Sequence, residues 1–98
     1  MTIEKHRDGS AMTLAPEGRL DTITSPELEK ALKESLDGVS ELTLDFEKLD
    51  YISSAGLRVL LTAQKTMNRQ GSMKIVHVCD TIMEIFEVTG FLDILTIE

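Results

Sequence analysis

Apolar residues recur along this chain with two periods, and the switches between them mark out its elements. Ile3 to Arg7 and Ala11 to Ala15 are short segments on either side of Asp8-Gly9-Ser10. Asp-Gly is a strong tight-turn signal, so the two segments read as a hairpin. Pro16 to Leu20 continues extended, with Gly18 as a bulge or a point of close backbone approach. Ser25-Pro26-Glu27 then carries the marks of a helix start: a hydroxyl at the cap, proline at the first helical position and an acid in the first turn. Leu28, Ala31, Leu32 and Leu36 follow at helical spacing, and Gly38 supplies a stop. The spacing predicts a helix over Pro26 to Leu36.

Glu41 to Phe46 reads as a strand with Leu42, Leu44 and Phe46 on one face. Tyr51-Ile52 is a short apolar approach to Ser53-Ser54-Ala55-Gly56. Beyond it, Leu57, Val59, Leu60, Leu61, Ala63 and Met67 form a broad helical stripe that Gly71 ends. Met73 to Val78 is a near-continuous apolar run, the pattern of a strand buried on both faces. Asp80 is positioned to cap a third helix carrying Ile82, Ile85 and Phe86, with Gly90 as its stop. Ile94 to Ile97 reads as a last short strand. The predicted order is β-β-α-β-α-β-α-β. That alternation implies an α/β fold in which helices pack on a largely parallel sheet.

Composition narrows the function. The chain has 98 residues, enough for one domain, and no repeat or linker divides it. Ten Lys and Arg against seventeen Asp and Glu give a net charge of −7. That balance argues against a phosphate-backbone binder, so no direct contact with nucleic acid is expected. No apolar run approaches the ~20 residues that span a bilayer, and the polar start reads as no signal peptide. The single cysteine, Cys79, leaves no partner for an internal disulfide. A cytoplasmic protein without membrane insertion is the expectation. A domain this small has little room to enclose a substrate, so a binding or switch module is expected over an enzyme. No P-loop, G-x-G-x-x-G or G-x-S-x-G motif appears, which disfavours a small nucleotide-binding or hydrolytic domain.

The most informative stretch is Leu49 to Leu61, which sets Ser53 and Ser54 at a strand-to-helix junction. Serine there is suited to capping the helix by accepting a backbone N–H bond. It is also suited to accepting a phosphoryl group, because a helix start tolerates added negative charge. The two roles are compatible.

The run Tyr51-Ile52-Ser53-Ser54-Ala55-Gly56-Leu57-Arg58-Val59-Leu60-Leu61 resembles the signature of STAS domains, the family of bacterial anti-sigma-factor antagonists. Gly18-Arg19-Leu20-Asp21-Thr22, followed by a helix, resembles a second signature. The resemblance covers nearly the whole chain. It implies a mixed, mostly parallel sheet with an N-terminal hairpin and three to four packed helices. It also implies a role as an anti-anti-sigma factor, in which the chain binds an anti-sigma factor that is also a serine kinase and so frees a sigma factor. The kinase would phosphorylate Ser54 using ATP, and a PP2C-type phosphatase would reset it. The family pattern has Asp before the acceptor, where this chain has Ser53, and Ser or Thr after it, where this chain has Ala55. Ser53 is therefore the second candidate acceptor. Asp21, Thr22, Ser53, Ser54, Gly56, Leu57 and Arg58 are the expected partner-binding residues. Some members lack the switch and dock in transport or signalling complexes, which is the alternative reading.

Other residues add less. Asp21 doubles as a turn acid, and by the resemblance its loop lies beside Ser54, where it would orient the hydroxyl or meet a partner cation. Asp45 reads as a hydrogen-bonding acid at a strand end. Asp21, Asp45 and Asp50 are the acids open to a magnesium site, but none forms an adjacent pair, and neither metal nor cofactor is expected. His77 reads as a packed histidine and Cys79 as a small buried residue. Met67, Met73 and Met83 read as core filler, with Met83 and Val88 as an alternative exposed surface. Arg58 and Lys65 are placed on the solvent face of the second helix.

Overall fold

The computed structural model describes all residues, Met1–Glu98. Strand β1 (Thr2–Asp8) turns at Gly9 into the ten-residue β2 (Ala11–Leu20). Helix α1 (Ser25–Ser35), β3 (Glu41–Asp45), β4 (Leu49–Ile52) and α2 (Ser54–Gln70) follow. The chain ends with β5 (Ser72–Val76), α3 (Asp80–Thr89) and a 3₁₀ turn at Phe91–Asp93. The hairpin β1–β2 is antiparallel, and β2, β3 and β5 run parallel in the order β1-β2-β3-β5.

Register explains the core. Met12 pairs with Leu42 and Leu42 with Met73; Leu14 pairs with Leu44 and Leu44 with Ile75. All six are buried, so both rows face the helices. The alternate row, Thr13, Thr43 and Lys74, lies on the uncovered face, because successive strand side chains point to opposite sides. Leu28 and Leu32 of α1, Leu57, Leu60 and Met67 of α2, and Ile82 and Phe86 of α3 complete a 22-residue cluster.

Strand β2 serves two neighbours in turn. Residues 11–14 pair with β3, and residues 18–20 pair with β4. The register shifts between Gly18 and Arg19, where Gly18 has φ +97° and its N–H donates to the Lys48 carbonyl at 2.9 Å. That conformation suits glycine, and the bulge foreseen at Gly18 is present.

Several expectations are corrected. Ser25 is the first residue of α1 rather than its cap; Thr24 holds the cap position, and Ser25 is buried. Helix α1 ends at Ser35, one residue short of Leu36. Cys79, not Asp80, is the cap residue of α3. Residues 49–52 form a strand, because the end of β2 beyond the bulge offers them a pairing edge. Strand β5 stops at Val76 and is buried on one face only, since Ser72 and Lys74 emerge on the open side. The final strand reduces to a single bridge, Ile75 with Ile97, after the 3₁₀ turn.

Candidate phosphoacceptor and partner-binding site

The two serines at the start of α2 are placed differently. Ser53 is the cap residue, extended at φ −100° and ψ 177°. Its carbonyl accepts the first helical bond from Leu57 N–H at 2.9 Å, and its own N–H donates to the Leu20 carbonyl at 2.8 Å. Its Oγ is buried and has no hydrogen-bond partner, so the expected side-chain cap is absent. The hydroxyl is shielded from solvent and accepts no bond from the helix N–H groups it would otherwise serve. Ser54 is the first residue of α2 and is exposed. The first N–H groups of a helix have no intrahelical acceptor, so this end of α2 carries partial positive charge beside that hydroxyl.

The Leu20–Ser53 bond sets the loop between β2 and α1 against the start of α2. Asp21 organises that loop. Its Oδ1 accepts the N–H groups of Ile23 and Thr24, both at 3.0 Å. The Thr24 hydroxyl accepts the Asp21 N–H at 2.9 Å and donates to the Arg19 carbonyl at 2.6 Å. The Thr24 N–H bond, aided by the Ile23 N–H and opposed by partial burial, holds the Asp21 carboxyl below the usual carboxylate range. Asp21 therefore bonds its own loop and makes no hydrogen bond to the Ser54 hydroxyl.

The loop presents Thr22 and Ile23 to solvent, and Ile23 is 83% exposed. A large aliphatic side chain so exposed, on the loop that follows the Leu20–Ser53 bond, was not singled out from the sequence. Its only signal was an isoleucine amid polar loop residues. Arg19 lies over the Tyr51 ring, 4.3 Å from its centroid. Arg58 is exposed on α2, as expected, and so is Lys65. Gly56 and Leu57, expected at the partner surface, are instead buried. A Cβ on Gly56 would stand 2.7 Å from Ile52 Cγ1 and 2.9 Å from Leu20 Cγ, so this glycine lets α2 sit tightly on β2 and β4. The outward residues of the seven are thus Thr22, Ser54 and Arg58, with Asp21 half-buried and the Ser53 hydroxyl shielded from solvent.

A second polar group lies at the ends of β3 and β5. His77 adopts φ 57° and is 60% exposed, not packed as expected, because the chain leaves β5 there and swings the ring toward Asp45. His77 Nδ1 and Asp45 Oδ1 are 2.9 Å apart, and Asp45 also accepts the Glu47 N–H at 3.0 Å. Burial pushes the Asp45 carboxyl up, but the His77 and Glu47 hydrogen bonds and the His77 charge outweigh it and hold it below its ordinary value. The same hydrogen bond raises His77. Asp45 is the strand-end hydrogen-bonding acid that was foreseen. Asp45, Glu47 and His77 offer ligand atoms within 4.8 Å of one another, whereas Asp21 and Asp50 join no such group.

A hollow of about 500 Å³ on the uncovered sheet face is bordered by His6, Thr13, Thr43 and Lys74. No helix is long and apolar enough to cross a membrane. Met67 and Met73 are buried as expected; Met83 is half-buried, and Val88 is 78% exposed.

A mixed, mostly parallel sheet with helices packed on one face, and an exposed serine where β4 passes into α2, is the arrangement these elements build. The chain belongs to the STAS domain family, whose profile matches residues 2–98. It is 30% identical over 97 residues to an anti-sigma-B factor antagonist of Listeria monocytogenes, covering 96% of this chain and 84% of the relative. Its fold matches the crystal structure of an anti-sigma factor antagonist from Mycobacterium paratuberculosis at TM-score 0.88 and 18% identity, covering 98% and 83% of the two chains. It also matches the Bacillus cell-fate determinant SpoIIAA in its phosphorylated form at TM-score 0.76 and 14% identity, covering 99% and 91%.

Proposed function

We propose that this chain is a cytoplasmic anti-sigma-factor antagonist, built as one domain and switched off by phosphorylation at Ser54. In its unmodified state it binds an anti-sigma factor with serine-kinase activity, which then releases its sigma factor. The kinase moves the γ-phosphoryl group of ATP to Ser54 Oγ. The hydroxyl proton passes to a base on the kinase, and ADP leaves. A PP2C-type phosphatase adds water to the phosphoserine, restoring the hydroxyl and releasing inorganic phosphate. The chain is the substrate of both reactions and not an enzyme.

The observation that carries this reading is the exposed Ser54 hydroxyl at the head of α2, beside a loop stiffened by Asp21. The kinship with the Listeria antagonist supports the choice of partner. The buried Ser53 hydroxyl favours Ser54 as the acceptor. Thr22, Ile23, Ser54 and Arg58 form the contact surface. Phosphorylation sets roughly −1.5 to −2 charges into that surface, and a partner fitted to a neutral hydroxyl would have to desolvate them. The switch needs no change of fold.

The test is calorimetric titration of the cognate anti-sigma factor with the wild-type protein, Ser54→Ala and Ser54→Glu. Wild type and Ser54→Ala are expected to bind alike, and Ser54→Glu at least about tenfold more weakly, a difference of about 1.4 kcal/mol. Equal binding by all three would overturn the switch and leave a docking module.

A further inference from the structure

Helix α2 is unusual in this acidic chain. It carries Arg58, Lys65 and Arg69 and no Asp or Glu over its 17 residues. Those three cations make no ion pair. Every other lysine or arginine has a partner: Lys5 and Lys30 meet Glu34, Lys33 meets Glu29, Lys48 meets Glu17 and Lys74 meets Glu98. Arg7 donates to the Gly9 carbonyl, and Arg19 covers Tyr51. Arg58 is thus a free guanidinium, and it stands four residues after Ser54 on the same helix face.

We infer that Arg58 is the residue that receives the phosphate on Ser54, forming an i to i+4 ion pair along α2. This inference rests on Ser54 being the acceptor and concerns what the phosphoryl group does once attached. Side chains four apart on a helix lie about 5–6 Å from each other at Cβ, a gap an arginine spans. The order is the favourable one, with the anion nearer the helix start and the cation behind it. A guanidinium presents paired N–H donors that match two phosphate oxygens. No carboxylate on α2 competes for Arg58. The acids on the elements adjoining α2 are Asp21, whose Oδ1 is already bonded to Ile23 and Thr24; Asp50, exposed on β4; Glu27, Glu29 and Glu34 of α1, which meet the N-terminal amine, Lys33, and Lys5 with Lys30; and Asp37, exposed just after α1.

The pairing gives phosphorylation two effects. It adds an anion at the head of α2, and it draws the Arg58 guanidinium back onto the chain's own surface. A partner that used Arg58 as a contact loses it in the same event.

The experiment uses the full chain with phosphoserine placed at position 54 during translation, so no kinase is needed. The pH titration of the ³¹P resonance is compared for wild type, Arg58→Ala, Arg58→Lys and Arg69→Ala. Removing Arg58 is expected to raise the second phosphate ionisation by about 0.15–0.4 pH unit, in line with the modest strength of exposed helix pairs. Arg58→Lys should retain part of the shift. Arg69→Ala removes the same charge from the far end of α2 and should leave the titration unchanged. A second readout is the Arg58 Nε–H signal, which should move between the Ser54 and phosphoserine-54 proteins. Equal titrations for Arg58→Ala and Arg69→Ala, or an unmoved Nε–H signal, would overturn the pairing. Neither result bears on whether a kinase modifies Ser54, so the two readings fail separately.

Discussion

The backbone N–H of Ser53 donates to the carbonyl oxygen of Leu20 across 2.8 Å, and that bond fastens the start of α2 to the end of β2. It explains why two segments 33 residues apart in the chain form one surface. The bond extends the parallel pairing of β2 with β4, which ends at Leu20 and Ile52. The loop that follows Leu20 and the helix that follows Ser53 therefore leave the sheet side by side.

Gly56 keeps that junction closed. A methyl group there would meet Ile52 and Leu20, both fully buried side chains with little room to move. Gly56→Ala is expected to cost about 1–3 kcal/mol in urea denaturation, the usual range for overpacking a tight site. Unchanged stability would mean that α2 can lift from the sheet at little cost.

Asp21 stiffens the neighbouring loop. Asp21→Ala removes the acceptor for the Ile23 and Thr24 N–H groups. Amide hydrogen exchange at those two residues should speed up several-fold, while core amides of β3 stay protected. The carboxyl sits below its ordinary pKa in the folded protein, so its contribution is full above about pH 4 and is lost as pH falls through the lowered value. The protection factors of the Ile23 and Thr24 amides, with the intrinsic pH dependence of exchange divided out, should fall over that acid range in wild type and stay flat in Asp21→Ala.

The His77–Asp45 pair fixes a second pH dependence, with opposite signs at its two ends. His77 is raised, so its contribution is present below its unfolded value near 6.5 and fades as pH rises through the folded one. Asp45 is lowered, so its contribution is present above about 3.8 and fades as pH falls through its folded value. The stability difference between wild type and His77→Ala should therefore be greatest between about pH 4 and 6.5 and shrink on either side. A difference that does not vary with pH would contradict the pairing.

Much of the fold was legible because local chemistry and tertiary packing agree. Asp8-Gly9 makes the hairpin turn, Gly18 makes the bulge, and the Leu42, Leu44 and Phe46 alternation gives β3 its buried face. The misread strands share a cause: each depends on a neighbour distant in sequence, whereas the helix caps at Thr24 and Cys79 differ by one residue. Leu49–Ile52 is too short to declare itself a strand until the end of β2 provides an edge. Met73 to Val78 reads as apolar throughout, yet Lys74 takes the open face and His77 leaves the sheet to reach Asp45. At the candidate site, the serine pair and the Asp21 loop were visible as motifs. Which hydroxyl faces outward was not, because it depends on the packing of Ser53 against the junction. The resemblance placed Gly56 and Leu57 at the partner surface, while the apolar stripe already included Leu57; the helix turns both toward the core.

The central claim is that Ser54 carries a reversible phosphate. The most direct measurement is intact-mass and phosphopeptide analysis of the protein from its native cells across growth and stress. A single phosphate that maps to Ser54 and changes in occupancy with condition is the predicted result. A protein that stays unmodified throughout, or a phosphate that maps to Ser53, would contradict it.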